Sequence, residues 1–322
     1  MTDQQKYEAL IRKITELASE RMVSYPVRDD SRVRFMEALD GLAGYLRDTT
    51  KFDEFRPRAD ILRAAEEFSE NPIFICGAMK SGTTLVGQLL DGHPDLLVIP
   101  GDSYYADYVD DWKTWSFEKI STHWLRKVIS PTGKEPFFFL GPERDTLEQF
   151  MQYLYYYLHN SKKEVFVCGV MAVYAAVSIK SGVTKRKYWV EKTPHNELKA
   201  KLLDSHFPGA KFIQILRDPL ENIVSLNKLS SIRKWKSTPD QHAATIQRLF
   251  RAGEKNRRRY GDDRYHIVRY EDLVSSPEKE LRAICRFLGI PFHEILLKPT
   301  ENCRPAISNS MFAERRIKGA IL

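Results

Sequence analysis

Between residues 71 and 90 a short apolar run, a loop bounded by two glycines and the start of an apolar helix follow one another without a gap. Ile73, Phe74, Ile75 and Cys76 make a run of the length a buried strand needs, and Leu85, Leu89 and Leu90 then recur at helical spacing. Gly77 and Gly82 leave the backbone N–H groups of the intervening loop able to turn inward. The helix that begins there adds its own unpaired N–H groups and its positive dipole end. Strand, glycine loop and helix start together form an anion cradle, most often for phosphate. The plain alternative is an ordinary strand-to-helix turn.

The spacing nearly matches the nucleotide-binding pattern G-x-x-x-x-G-K-[ST]. Gly77 and Gly82 are correctly placed and Thr83 and Thr84 follow, but the only lysine, Lys80, lies inside the loop before the second glycine. The usual lysine reaches the β- and γ-phosphates of a triphosphate, so its displacement argues against ATP or GTP hydrolysis and for a shorter anhydride. Here the sequence resembles the sulfotransferases that use 3′-phosphoadenosine 5′-phosphosulfate. Their 5′-phosphosulfate loop commonly reads [KR]-S-G-T-[ST], and Lys80, Ser81, Gly82, Thr83 and Thr84 match it throughout.

A second motif follows the strand expected at Lys211–Leu216. Arg217, Asp218 and Pro219 stand at its end, and Ser225 comes eight residues after the arginine. The resemblance makes Arg217 and Ser225 the 3′-phosphate site. The chemistry suits it, because a planar guanidinium binds phosphate oxygens in a fork. Asp218 could instead mimic the metal-holding acid of a nucleotide hydrolase. Two looser blocks join these. The stretch Glu191, Lys192, Thr193, Pro194 resembles an [EN]-K-x-P segment that puts a lysine beside the transferred group, so Lys192 enters the site, with His195 as a base candidate or simply a helix cap. After a last strand expected at residues 265–269, Tyr270 to Leu273 and a downstream Phe-Leu-Gly resemble a block whose tyrosine lies near the adenine, which carries over to Tyr270.

Residues 96–99 form another short apolar run ending in Pro100, Gly101 and Asp102. In an open parallel sheet, ligands sit beyond the carboxyl ends of the strands, which puts Asp102 on the edge that carries Lys80. The resembled family often has an acid there as general base, usually glutamate; Asp102 is the candidate, with Ser103, Tyr104 and Tyr105 near the acceptor. A helix-capping role is the plain alternative.

The rest of the chain carries less chemistry. Residues 1–67 read as a helical extension with two apolar stripes, Tyr7, Leu10, Ile11, Ile14, Leu17 and Phe35, Leu39, Leu42, Ala43, Leu46, separated by a charged break at residues 28–31. Residues 68–322 read as the α/β domain, with a largely helical insert at 103–163 that is broken between Pro131 and Pro142 and expected on the acceptor side. Val165, Phe166, Val167 and Cys168 read as a strand. Tyr153, Tyr155, Tyr156 and Tyr157 fall at helical spacing, which favours core or helix interface over ligand contact; His123 and Trp124 read as packing. Arg257, Arg258 and Arg259 read as a solvated helix end, and the basic tail, Arg315, Arg316 and Lys318, has no assigned role. Cys76, Cys168, Cys285 and Cys303 contain no C-x-x-C pair and read as reduced thiols.

The expected fold is thus α/β: a parallel central sheet flanked by helices, of the P-loop-like sulfotransferase kind, with a helical N-terminal extension. A formal net charge of +7 over 322 residues suits a polyanionic ligand, though nucleic acid or an anionic membrane would suit it equally. What the resemblance implies is sulfuryl transfer to a hydroxyl or amine without a metal. The loop amides, Lys80, Thr83 and Thr84 hold the 5′-phosphosulfate, with Ser81 also among the donor-binding residues; Lys80 and Lys192 stabilise developing charge, and Asp102 takes the proton. Acceptors include small molecules, carbohydrates, lipids, carrier-bound groups and protein tyrosine, with no nucleic acid partner and a homo-oligomer allowed. Neither a cleavable signal nor a long apolar span is visible, so a cytoplasmic protein is expected, although a chain relieved of a membrane anchor would read the same. A P-loop kinase and a catalytically silent nucleotide-binding protein are the alternatives.

Overall fold

The computed structural model describes residues 2–23, 29–130 and 137–306. The chain divides into two compact units, Met1–Ser69 with Asp107–Arg186, and Glu70–Ala106 with Lys187–Leu322.

The second unit is built on five strands: β1 (Pro72–Gly77), β2 (Leu96–Val98), β3 (Tyr188–Lys192), β4 (Lys211–Leu216) and β5 (Tyr265–Arg269). They lie in the order β2-β3-β1-β4-β5, and every pairing is parallel. Ile73 sits opposite Val190 on one side and Lys211 on the other. A parallel sheet is covered on both faces, which is why its strands are unbroken apolar runs. Side chains alternate between the faces with period two. Ile73 and Ile75 join Leu85, Leu89, Ile213, Ile215 and Ile284 in one core. Phe74 turns the other way, into an aromatic layer with Trp189, Phe207 and Phe212, which Tyr260 and Tyr265 extend. Because all five strands run the same way, their carboxyl ends share one edge.

Helices follow where the sequence signals them. Pro219–Arg233 starts on Asp218, whose Oδ1 accepts from Leu220 N and Glu221 N at 3.0 Å each. Asp218 is therefore a helix cap, with Pro219 at the first position where a missing N–H does no harm. Pro239–Tyr260 opens with a capping box between Thr238 and Gln241 and ends in the exposed Arg257, Arg258 and Arg259.

The first unit contains Asp3–Val23, Asp29–Thr49, Ala59–Ser69, Phe117–Val128, Arg144–Asn160 and Val165–Ser181, all helical. Both N-terminal stripes face its core, with Tyr7, Ile14, Leu17, Phe35, Leu39 and Leu46 buried. Tyr153 and Tyr157 are buried as well, and Trp124 is fully so. One expectation fails: residues 165–168 are the first turn of the helix Val165–Ser181, not a strand. That helix is apolar on every side, and a buried helix and a buried strand cannot be told apart over four apolar residues. Only the length of the run separates them. Residues 131–136 of the expected break and the whole basic tail lie outside the described residues. Cys76, Cys168 and Cys285 are buried free thiols and Cys303 is exposed. Among the described residues, no helix is long and apolar enough to cross a membrane.

Gly253 brings the helix Pro239–Tyr260 so close to the sheet that an added Cβ would stand 1.9 Å from Gln214 Oε1, and both residues are buried. Gly253→Ala should lower stability by about 1–3 kcal/mol in urea denaturation. Gly209→Ala, where an added Cβ meets nothing within 4 Å, should stay within about 0.5 kcal/mol of the parent. Equal losses in the two variants would contradict this packing.

Candidate functional site

The loop after β1 owes its path to backbone geometry. Gly77, Lys80 and Gly82 have φ of 142°, 66° and 110°. A Cβ at Gly77 would lie 2.5 Å from the Ile215 carbonyl oxygen, and one at Gly82 would lie 2.6 Å from Cδ2 of Tyr270. Neither position admits a side chain. Lys80 holds a left-handed conformation that costs a non-glycine residue free energy, a cost tolerated where surrounding contacts dictate the path.

Those contacts are on the loop's carbonyls. Ser81 Oγ donates to Ala78 O at 2.7 Å, Asn222 Nδ2 to Met79 O at 2.9 Å, and Arg217 Nη1 to Lys80 O at 3.2 Å. With three carbonyls engaged, the polar groups left to the loop's mouth are N–H groups. Gly82 is the N-cap of Thr83–Leu90 and no side chain caps it, so the first amides of that helix have no partner within the helix. Thr83 is buried and Thr84 exposed. The Lys80 ammonium is held below the usual lysine range, first by burial and then by the nearby Arg217. This is the arrangement of an anion site.

Arg217 leaves the end of β4 and joins three parts of the site. Besides its bond to the loop, its guanidinium lies over the Tyr270 ring at 4.7 Å, and Nη2 stands 3.6 Å from Glu221. Tyr270, just past β5, thus packs on Gly82 and under Arg217. Ser225 is half-buried in the second turn of Pro219–Arg233.

Across the sheet, Lys192 at the end of β3 forms an ion pair with Asp102 beyond β2. Tyr104 OH donates to the other Asp102 oxygen at 3.4 Å. This pair is set by a neighbouring buried one that sequence reasoning passed over. Glu191, 1% exposed, accepts from Ser103 Oγ (2.5 Å), Ser103 N (3.3 Å), Thr193 Oγ1 (2.5 Å) and Asn196 Nδ2 (2.8 Å). Thr193 Oγ1 accepts in turn from Ser103 N and Tyr104 N. The segment after β2 is therefore stitched to the end of β3, with Asp102 just before Ser103 and Lys192 between Glu191 and Thr193.

His195 has φ of 72°, and its N–H donates to the Gly77 carbonyl at 3.0 Å; its side chain makes no capping bond to the 3-10 turn Asn196–Lys199. His123, in the other unit, packs against Trp112 and Trp115, and burial holds its imidazole neutral, down to about 3. The strand edge therefore collects Gly77, Lys80, Ser81, Gly82, Thr83, Thr84, Asp102, Lys192, His195, Arg217, Ser225 and Tyr270 within the second unit. Among the described residues, no group of three His, Cys, Asp or Glu side chains could hold a metal ion.

Comparison with known proteins covers this unit and also the segment 107–186 of the other. The sequence model of the Sulfotransferase family matches residues 72–294. An omega-hydroxy-beta-dihydromenaquinone-9 sulfotransferase of Mycobacterium tuberculosis is 30% identical over 122 residues, 35% of this chain and 31% of that protein. The Drosophila melanogaster protein-tyrosine sulfotransferase is 26% identical over 250 residues, 71% of this chain and 40% of that one. The chain thus matches well under half of either relative's length. Among solved structures, the sulfotransferase STF1 from Mycobacterium tuberculosis matches with a TM-score of 0.45 at 17% identity, over 92% of this chain and 86% of that one.

Removing the Glu191 carboxylate would leave the Ser103, Thr193 and Asn196 donors buried without an acceptor. Glu191→Ala should cost about 3 kcal/mol or more, since each orphaned buried group costs about 1–3 kcal/mol. Chemical denaturation measures it, and a loss below about 1 kcal/mol would show that the stitch carries little.

Proposed function

Because the chain belongs to the sulfotransferase family, we propose that it transfers a sulfuryl group from 3′-phosphoadenosine 5′-phosphosulfate to a hydroxyl acceptor. One observation carries the donor assignment. Arg217 bonds the carbonyl of Lys80, so a guanidinium suited to a 3′-phosphate is tied to a glycine loop suited to a 5′-phosphosulfate. The relatives' names support a hydroxyl over an amine, since an omega-hydroxy quinone and a protein tyrosine both offer oxygen.

The donor supplies an activated sulfuryl anhydride; the protein's part is positioning and charge. Loop amides and the hydroxyls of Thr83 and Thr84 hold the 5′ end, while the buried Ser81 hydroxyl, expected to join them, instead donates to the Ala78 carbonyl and shapes the loop; Arg217 with Ser225 holds the 3′-phosphate, Tyr270 flanking the base. Negative charge grows on the leaving phosphate during transfer. Lys80, half-buried beside Arg217, meets that charge. Asp102 accepts the acceptor's proton. Lys192 orients Asp102 through their ion pair and can turn its ammonium toward the reacting group. His195, on the same edge, is the second base candidate.

Calorimetry should find adenosine 3′,5′-bisphosphate bound about 10–100-fold more tightly than ADP, since a charge-assisted contact contributes about 1.5–3 kcal/mol. Equal affinities would remove the 3′-phosphate site. Lys80→Ala should lower kcat by about 10²–10³ while changing donor affinity far less, because several amides share ground-state binding. A rise in KM alone would make Lys80 only a binding residue.

A further inference from the structure

Behind the loop lies an acid that the transfer chemistry above does not use. Glu197 belongs to the 3-10 turn Asn196–Lys199 and is 2% exposed. Its Oε2 accepts the Gly77 N–H at 3.1 Å, the first amide of the anion loop. Its Oε1 accepts from Gln214 Nε2 at 3.3 Å, and Gln214 Oε1 accepts from Tyr265 OH at 3.0 Å. Asn256 Nδ2 donates to the backbone carbonyl of Glu197 at 2.7 Å, closing the pocket from the helix Pro239–Tyr260.

No basic side chain relieves this carboxylate among the described residues. The titratable groups facing it are Cys76 of β1 and Tyr265 of β5, both pushed up by burial, with Glu191 of β3 beyond Cys76. On the helix Ala200–His206, Asp204 pairs with Arg264 and His206 bonds Tyr105. Burial pushes Glu197 itself up to about 7. A buried carboxylate without a cation, bonded to the backbone of a site built for anions, is placed to feel whatever charge enters that site.

We propose that Glu197 is a positioning residue whose proton is coupled to anion binding: filling the loop favours the neutral acid, so donor binding takes up a proton at Glu197. The proton goes to Oε1, whose bond from Gln214 Nε2 is the longer at 3.3 Å, the same Nε2 also donating to the Leu249 carbonyl, while Oε2 keeps the Gly77 N–H. This inference rests on the donor reading above. The sign follows from the linkage. Where Glu197 is already protonated, the anion meets no opposing charge; as pH rises through about 7 the carboxylate ionises and must be reprotonated on binding, so affinity falls.

The test is the affinity for adenosine 3′,5′-bisphosphate between about pH 6 and 8 in the parent and in Glu197→Gln, with ADP alongside. The phosphates of the ligand titrate in the same range, but equally for both proteins. Parent affinity relative to the variant should fall about three- to tenfold over that interval, tenfold corresponding to a one-unit shift in the acid. Parallel profiles would overturn the coupling. If Glu197→Gln does not fold, the parent alone decides with adenosine 5′-phosphosulfate, which has no group titrating near neutrality. Calorimetry in two buffers of different ionisation enthalpy should show net proton uptake at about pH 7, and zero uptake would overturn the inference. The two readings fail separately. Equal affinity for ADP and the bisphosphate, with the parent and variant profiles still diverging, would sink the donor assignment and leave Glu197 standing. Parallel profiles with the bisphosphate preference intact would do the reverse.

Discussion

Between β1 and the helix Thr83–Leu90 the chain passes so close to its neighbours that two positions admit no side chain. Gly77 lies against the Ile215 carbonyl and Gly82 against the Tyr270 ring. That close approach fixes the loop's path between the neighbouring strand and helix. It also forces Lys80 into a left-handed conformation and lets Arg217 and Asn222 reach the loop's carbonyls from the neighbouring strand and helix. For the proposed donor site, such a path does not have to be assembled by the ligand, and little ordering cost remains to be met on binding.

The electrostatics of the edge divide between two kinds of acid. Asp102 sits at the edge paired with Lys192, so its charge is compensated and within reach of a ligand. Glu191 and Glu197 are buried, and each carboxylate accepts hydrogen bonds from neighbouring segments. Buried carboxylates of this sort are costly unless fully bonded, and each here ties one strand end to another segment. Glu191 joins the segments after β2 and β3, and Glu197 joins β1 to β4 through Gln214.

Much of this was legible in the sequence, for identifiable reasons. Strands β4 and β5 are apolar runs bounded by charged or turn residues, and both fall where expected. Lys80, Gly82, Arg217 and Ser225 are readable because their spacing is local, set by one turn or one helix. The pairing of Asp102 with Lys192 was not readable, since it depends on β2 lying beside β3, a fact of topology that no local pattern records. Glu197 and Asn222 escape for the same reason, their partners Gly77, Gln214 and Met79 having no motif that links them, and Glu191, though part of a motif, shows no sign in the sequence of its bonds to Ser103. The helix at Val165 was misread because a wholly buried helix loses the periodicity that would announce it.

Sulfuryl transfer at this edge, with Asp102 taking the proton, is the reaction we propose. A single-turnover reaction tests it most directly, with the enzyme loaded with ³⁵S-labelled donor and mixed with an extract of its own cells. The labelled organic product is followed over time for the parent and for Asp102→Asn, which keeps the shape but loses the base. The parent should pass label to an organic acceptor, and Asp102→Asn should do so at least about a hundredfold more slowly. Transfer by Asp102→Asn at the parent's rate would contradict the claim.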